Sequence, residues 1–265
     1  MPNNIPEYEA TSFAEFIAAV ESAKTAINGR ELWFRGISKV THKLVPSLFR
    51  HPTKITIDDI SSLESEIYQE FTFRSPSYDA VKRDDWDRLF LMQHYRSPTR
   101  LLDWTSSPLV ALFFAVSHAT DNNTDAAVWV MDPAAWNAGI LNDISQAPVV
   151  FSTTDDILEP FHPKNKTKGR SQPLAMEGII NNARINAQKG KFVIFGHQLK
   201  SQEDHAQECA VWNAEIPLHK IVCKSPNIPK IASDLNNYGI THTSIYPDLE
   251  GLAVEIKIRA GYPHV

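Results

Sequence analysis

Four polar side chains stand directly before the most apolar stretch of the sequence. Gln93, His94, Arg100 and Asp103 fall in one short run. Polar groups in so apolar a setting must find partners, so one interpretation is a structural network that fixes this loop. The other is a pocket in which His94, whose ordinary pKa lies near neutrality, titrates or orients a substrate.

Arg35 stands between Phe34 and Gly36 at the end of an aromatic segment that is typical of a strand. Arginine offers a planar fork suited to phosphate or carboxylate, and glycine lets a ligand or another backbone approach closely. One hypothesis is therefore an anion clamp for the pyrophosphate of a nucleotide. The alternative is a buried ion pair between Arg35 and Asp103 or Glu70.

Three hydroxyl side chains, Thr105, Ser106 and Ser107, precede an apolar helix that begins at Pro108. One of them is expected to cap the helix by accepting a hydrogen bond from its first turn. The other two could line a site at the positive end of the helix, where a phosphate is favoured.

Gln188 follows Arg184 by one helical turn and lies just before a glycine, a position typical of a plain turn residue. His197, Glu203 and His205 carry groups that ligate metals, but their spacing fits no metal-binding motif. We expect no metal site in this protein.

The net charge of −5 argues against a general nucleic-acid binder, which needs a basic face to neutralise phosphates. A local basic pocket is compatible with this charge. Scattered arginines more often form solvated or ion-paired surface. The candidates for such a pocket are Arg35, Arg50, Arg74, Arg96, Arg100, Arg170 and Arg184.

The chain contains only two cysteines, Cys209 and Cys223, which we interpret as reduced thiols. The first ten residues lack a basic segment followed by an apolar run, so no signal peptide is expected. The longest apolar run, residues 108–116, is about half the length of a membrane span. These features predict a cytoplasmic protein without a membrane partner.

Strand and helix patterns alternate irregularly along the chain. Strands are predicted at residues 31–36, 101–104, 126–131, 192–195, 210–216, 219–223 and 243–246. No GxGxxG or P-loop sequence is present, which argues against a doubly wound nucleotide fold. We predict an α/β protein of the α+β type, with a mixed, partly antiparallel sheet and surrounding helices. An N-terminal helical segment, residues 1–30, should pack on a main domain formed by residues 31–265.

Several motifs resemble the FRG-domain family, which is named after a Phe-Arg-Gly triplet, here residues 34–36. The longest match is QHYRSPTRLLDWTSSPLVALFFA, residues 93–115, in which Arg96 stands where the family usually carries glycine. Residues 188–192 resemble the family's Gln-x-Gly-x-Phe segment, and residues 238–251 resemble its C-terminal end. Members of the family often belong to mobile or defence-related bacterial gene sets, and they share no established activity.

The order of these motifs is similar to that of ADP-ribosyltransferases, and it implies a sheet of that type. The similarity implies that Arg35 holds the phosphates of NAD, that Thr105 braces the nicotinamide ribose, and that Gln188 faces the reacting carbon. Glutamine cannot supply the negative charge that a cationic transition state requires. A carboxylate such as Asp103 or Glu177 would then act instead.

The resulting hypothesis is an enzyme that uses NAD, either for ADP-ribosyl transfer to a macromolecule or for hydrolysis, as a toxin or anti-phage effector. Its catalytic candidates are Gln188, His94 and Asp103. Its cofactor-binding candidates are Arg35, Gly36, Arg100 and Thr105. The alternative is a recognition module that binds a nucleotide or a protein partner in the same pocket without catalysis.

Overall fold

The computed structural model describes residues 4–28, 31–117, 123–142, 149–165, 172–179, 183–209 and 216–262. Its strands are β1 (Glu7–Ala10), β2 (Trp33–Ile37), β3 (Leu101–Thr105), β4 (Ala126–Met131), β5 (Leu174–Met176), β6 (Gly190–Ile194) and β7 (Leu218–Cys223). Its helices are α1 (Phe13–Ile27), α2 (Ile57–Arg74), α3 (Asp85–His94), α4 (Pro108–Val116), α5 (Pro133–Leu141), α6 (Ala183–Ala187), α7 (Gln202–Glu208), α8 (Ile228–Asn237), α9 (His242–Ile245) and α10 (Leu249–Arg259).

The strands form one sheet in the order β1-β7-β4-β2-β3-β6-β5. The β1–β7 pair is parallel, and the other strand pairs are antiparallel. The predicted mixed sheet with surrounding helices is therefore confirmed. Of the predicted strands, residues 210–215 lie outside the described part of the chain.

The centre of the sheet contains a seam, by which we mean the junction of β2 with β3. Only one residue pair, Phe34 with Thr105, joins these two strands. On either side of the seam the pairing is regular: β2 pairs with β4, and β3 pairs with β6, over five residues each. The two strands diverge beyond the single pair, so the sheet opens where Arg35 and Asp103 lie.

Helix α4 packs against the seam. Its cap fixes where the helix begins, and Gly36 of β2 leaves room for its backbone. Ser107 caps the helix by accepting a hydrogen bond from the amide of Val110 at 3.5 Å. A Cβ atom on Gly36 would lie only 1.9 Å from the carbonyl oxygen of Ala111. Because Gly36 has no side chain, the backbone of α4 can approach it closely, which is the second of the two roles of glycine considered above.

On the β3–β6 side of the seam the sheet is covered by α3, which Asp84 caps through the amide of Asp87. Leu89 and Phe90 of this helix are buried in a cluster with Phe192 of β6. Helices α3 and α4 therefore flank the same opening in the sheet.

The N-terminal segment contributes both a strand and a helix to this architecture. Strand β1 extends the sheet beside β7, and α1 buries Phe16 and Val20 in the apolar cluster that also contains α4. Residues 4–28 therefore share a core with the sheet.

The prediction of a strand at residues 243–246 is wrong, because these residues begin with a short helix, α9. Thr241 and Ser244 form a reciprocal capping box, each side chain accepting a hydrogen bond from the other residue's amide. Such a box supplies partners for the free amides at a helix start, so this local interaction favours helix over the β-branched strand pattern.

Candidate functional site

A cleft of about 710 Å³ lies at the seam. Its walls come from β2 and the loop that follows it, from β3, from the end of α3, from the turn between α6 and β6, and from Tyr246 just after α9. This places the cleft where the sheet opens, between elements that are far apart in sequence.

Arg35 lies in the cleft with few partners for its charge. Its Nη1 donates a hydrogen bond to the backbone carbonyl of Asp103, and its buried Nε has no partner among the described residues. Burial lowers the pKa of Arg35 to about 10, with Asp103 acting against this shift and Arg50 adding to it. The guanidinium is therefore a desolvated cation with unused hydrogen-bonding capacity, as expected of a group that binds an anion.

The ion-pair alternative for Arg35 receives little support from its neighbours. Glu70 pairs instead with Arg74 at 2.7 Å. Among the described residues, no carboxylate lies within ion-pair distance of Arg35. The only direct contact with Asp103 is to its main chain.

Three further arginines line the cleft together with Arg35, namely Arg50, Arg96 and Arg184. None of the four forms an ion pair with another described residue. Asp103 is the one carboxylate among the described lining residues. A protein with a net charge of −5 thus carries a concentrated positive potential in its cleft.

Two other members of the arginine set predicted from the sequence, Arg74 and Arg100, do not line this cleft. Arg100 forms a two-pronged ion pair with Glu64 of α2, through Nε at 2.6 Å and through Nη2. Its charge is thereby neutralised, and Arg100 does not line the cleft. The assignment of Arg100 to cofactor binding is corrected accordingly. Arg170 lies outside the described residues.

A small hydrogen-bond network holds Asp103 in place. The amide nitrogen of Gln93 donates to Oδ2 of Asp103 at 2.8 Å. The amide oxygen of Gln93 accepts in turn from the hydroxyl of Thr99, which also accepts from the amide of Leu101 at 3.2 Å. Gln93 therefore has the structural role considered for it, and it leaves one oxygen of Asp103 facing the cleft.

His94 lies half-buried at the end of α3 and lines the cleft. Burial, and then the nearby Arg184, lower the pKa of His94, and Asp248 partly opposes this shift. A lowered pKa keeps the ring neutral at physiological pH, so one ring nitrogen can accept a hydrogen bond.

Thr105 and Gln188 are brought together, but largely by contacts with each other and with the backbone. The hydroxyl of Thr105 donates to the carbonyl of Gln188 at 2.7 Å and accepts from the amide of Ser107 at 3.1 Å. The amide nitrogen of Gln188 donates to the carbonyl of Ile245 at 3.3 Å. Both side chains line the cleft, yet their hydrogen bonds tie β3, the turn before β6 and α9 together.

The remaining carboxylate candidates are engaged elsewhere. Glu177 contacts Lys191 at 2.7 Å. Glu255 accepts a hydrogen bond from the amide of Thr243 at 2.9 Å, and such bonds from Thr243 lower its pKa to about 2. Neither residue lines the cleft, so Asp103 is the candidate carboxylate that the fold places there.

Tyr246 is a cleft residue that the sequence reasoning missed. The guanidinium carbon of Arg184 lies 4.6 Å from the centre of the Tyr246 ring. The same ring stacks with the ring of His242, and the two ring centres are 5.5 Å apart. The family resemblance at residues 238–251 indicates that this segment matters. A strand at residues 243–246, as predicted from the sequence, gives no reason to place Tyr246 beside Arg184. The stacked Arg184 presents a flat, charged surface to the cleft.

Residues 30–124 match the model of the FRG domain. The chain contains an FRG domain. The matched FRG segment supplies β2, α3, β3 and α4, and with them Arg35, His94, Asp103 and Thr105. Arg184, Gln188 and Tyr246 come from beyond it. Neither the curated proteins nor the solved structures contain a match to this chain.

The described residues form neither a metal-binding cluster nor a membrane-spanning helix. No group of three or more His, Cys, Asp or Glu side chains in this part of the chain is arranged to hold a metal ion. Within the same ranges, no helix has both the length and the apolar character that crossing a membrane requires.

Proposed function

We propose that the cleft of this FRG-domain protein binds a nucleotide through its phosphates. The observation that carries the proposal is the set of four arginines that line one cleft without a carboxylate partner. Cations left unpaired at a partly desolvated site interact strongly with an anion, because little water screens them. Arg35, with an unused Nε and a half-buried position, is the expected centre of the phosphate contact.

Aromatic side chains favour a nucleotide over a simple inorganic anion. Trp104, Phe114 and Tyr246 line the cleft beside the arginines. Its volume of about 710 Å³ falls within the range typical of small-molecule and cofactor sites. Apolar rings next to fixed cations suit a ligand that has a planar base at one end and phosphates at the other.

We propose as a second step that the nucleotide is NAD and that the protein cleaves its glycosidic bond. The position of Asp103 favours this reaction: its carboxylate lies among cations, is fixed by Gln93, and faces the cleft. During cleavage the bond between nicotinamide and ribose C1 breaks, nicotinamide leaves with the bonding electron pair, and water or an acceptor adds to C1 and loses a proton. A carboxylate stabilises the positive charge that develops on the ribose.

The proposed roles follow from these contacts. Arg35 holds the pyrophosphate, neutral His94 accepts a hydrogen bond on the nicotinamide ribose side, and Asp103 faces C1. Thr105 and Gln188 position the surrounding strands, because their hydrogen bonds are already used. Consumption of NAD would fit a role as a bacterial toxin or anti-phage effector, with a macromolecular acceptor in the case of ADP-ribosyl transfer.

The first experiment is incubation of the purified protein with NAD, with free nicotinamide followed by chromatography. Asp103→Asn retains a partner for Gln93 but removes the charge, so release should fall by roughly a hundredfold or more. Arg35→Ala should weaken binding by roughly tenfold to a hundredfold, the loss expected for a hydrogen bond between charged groups. Arg74→Ala, which removes an arginine remote from the cleft, serves as the control.

The outcomes separate the two steps of the proposal. Saturable binding of NAD that depends on Arg35, but without release of nicotinamide, would leave the nucleotide site standing and reject the cleavage. The protein would then be a recognition module. Absence of any nucleotide binding would reject both steps.

A further inference from the structure

Arg96 adopts a backbone conformation that arginine disfavours. Its φ angle is 61°, in the left-handed region, and the turn that it forms closes α3 through a hydrogen bond from the amide of Ser97 to the carbonyl of Met92. A residue with a Cβ atom is strained in this conformation, whereas glycine is not. An arginine retained against this strain calls for a functional reason.

Nothing within the folded chain supplies that reason. Arg96 is exposed, and no ion pair or side-chain hydrogen bond joins it to another described residue. It lines the cleft at the end of α3, immediately after His94 and Tyr95. The side chain therefore adds a free positive charge to the rim of the site.

Arg96 shares its end of the cleft with Arg184. The guanidinium of Arg184 lies 4.6 Å from the centre of the Tyr246 ring, and both arginines act electrostatically on the Tyr246 hydroxyl. Two positive guanidinium groups without a carboxylate partner at one end of a cleft favour an anion between them, because the anion relieves their mutual repulsion.

This pair of arginines is separate from Arg35. Arg35 is on β2, whereas Arg184 is on α6, directly before β6. Strand β3, with Asp103, lies between β2 and β6 in the sheet. The two cationic groups therefore come from elements on opposite sides of β3.

We propose that Arg96 and Arg184 form a second anion subsite, which takes a phosphate group distinct from the pyrophosphate held by Arg35. The ligand class is then a nucleotide phosphorylated on both sides of a ribose, as in a dinucleotide that carries an additional ribose phosphate. This inference rests on the proposed nucleotide site and specifies which nucleotide the site selects.

NADH and NADPH are suitable probes for the test. They differ only by one ribose phosphate, their fluorescence reports binding, and the reduced nicotinamide is not a cationic leaving group that the protein could release. The wild-type protein should bind NADPH roughly tenfold or more tightly than NADH, the difference expected for one additional charge-assisted contact.

Arg96→Gly provides the decisive comparison. Loss of the anion contact should weaken the binding of NADPH, whereas relief of the backbone strain should maintain or raise the stability of the fold. The variant should lose roughly tenfold more affinity for NADPH than for NADH, and with it the preference for NADPH. Its melting temperature should stay the same or rise, since the strain of the left-handed turn is relieved. Arg96→Lys should retain part of the preference, and Arg74→Ala should retain all of it.

Each other outcome overturns the inference in a recognisable way. Equal binding of both dinucleotides, abolished by Arg35→Ala, would reject the second subsite and leave the nucleotide site in place. An equal loss of affinity for both probes in Arg96→Gly would show a general charge effect and also reject the subsite. Binding of neither probe would reject the subsite together with the proposed function.

Discussion

Replacing Arg35 with methionine separates an anion-binding arginine from a structural one. Methionine keeps the unbranched apolar stem and removes the charge. In the folded protein, burial lowers the pKa of Arg35 from 12.5 to about 10, with Asp103 opposing this shift and Arg50 adding to it. At about 1.36 kcal/mol per pKa unit, the charged form is disfavoured by up to about 3 kcal/mol, which water in the open cleft reduces to roughly 1–2 kcal/mol.

The substitution also removes the hydrogen bond from Nη1 to the carbonyl of Asp103. A bond with one charged partner contributes about 1.5–3 kcal/mol. Relief of the buried charge and loss of this bond act in opposite directions and nearly cancel. We therefore expect the free energy of unfolding of Arg35→Met to lie within about 1 kcal/mol of the wild-type value.

Urea unfolding at neutral pH without ligand is the appropriate assay, and Arg100→Met is the matched control. Arg100 forms an ion pair with Glu64, and both side chains are less than one fifth exposed, at 11% and 15%. Its removal leaves a buried carboxylate without a partner and should cost about 3–5 kcal/mol. If Arg35→Met loses as much stability as Arg100→Met, then Arg35 is a structural ion-pair residue and the argument for an anion site fails.

Two further predictions concern the fold around the cleft. Gly36→Ala should lower the free energy of unfolding by more than about 2 kcal/mol in the same assay, because its Cβ would collide with the backbone of α4. Gly239→Ala is the control, because a Cβ atom at Gly239 would meet no atom within 4 Å, although the φ angle there is 83°. A larger loss of stability in Gly239→Ala than in Gly36→Ala would refute steric contact as the cause. Burial lowers the pKa of His205 to about 4, so stability present above pH 6.5 should be lost as the pH falls toward 4, by roughly 3 kcal/mol in total. In acid unfolding curves, His205→Leu should abolish most of that loss of stability. His42→Leu, at an exposed position, is the control. A pH dependence of His205→Leu equal to that of the wild type would contradict the assignment to His205.

Elements governed by local signals could be predicted from the sequence. Ser107 and Pro108 identify the start of α4, and the apolar run of residues 126–131 identifies β4, whose residues are all buried. In α8, Ile228, Ile231 and Leu235 face inward as their helical spacing predicts. Capping and periodicity depend on neighbours within a few residues, so a single sequence contains them.

The composition of the cleft depends on partners that are distant in sequence. Arg100 and Arg35 are equally plausible anion-binding residues in the sequence, but only the fold places Glu64 against Arg100 and leaves Arg35 without a carboxylate. Thr105 and Gln188 both line the cleft, yet the hydrogen bond between them occupies the hydroxyl for which the motif order implies a ligand contact. Arg96 preserves the turn that glycine would favour, because the closing hydrogen bonds of α3 outweigh the backbone strain.

The seam also determines how the sheet can deform. Of the described residues, Phe34 and Thr105 form the single backbone pair that joins a half-sheet of four strands to one of three strands, and the side chain of Arg35 adds one hydrogen bond to the carbonyl of Asp103 across the same line. Flexing at this line disturbs one residue pair, whereas flexing between β2 and β4 would disturb five. The compliant axis of the molecule therefore coincides with its binding cleft, and amides beside the seam should exchange hydrogen faster than those of β4. If the cleft binds a ligand that spans from Arg35 to Arg184, that ligand would connect the two half-sheets across this axis and should slow the exchange of these amides.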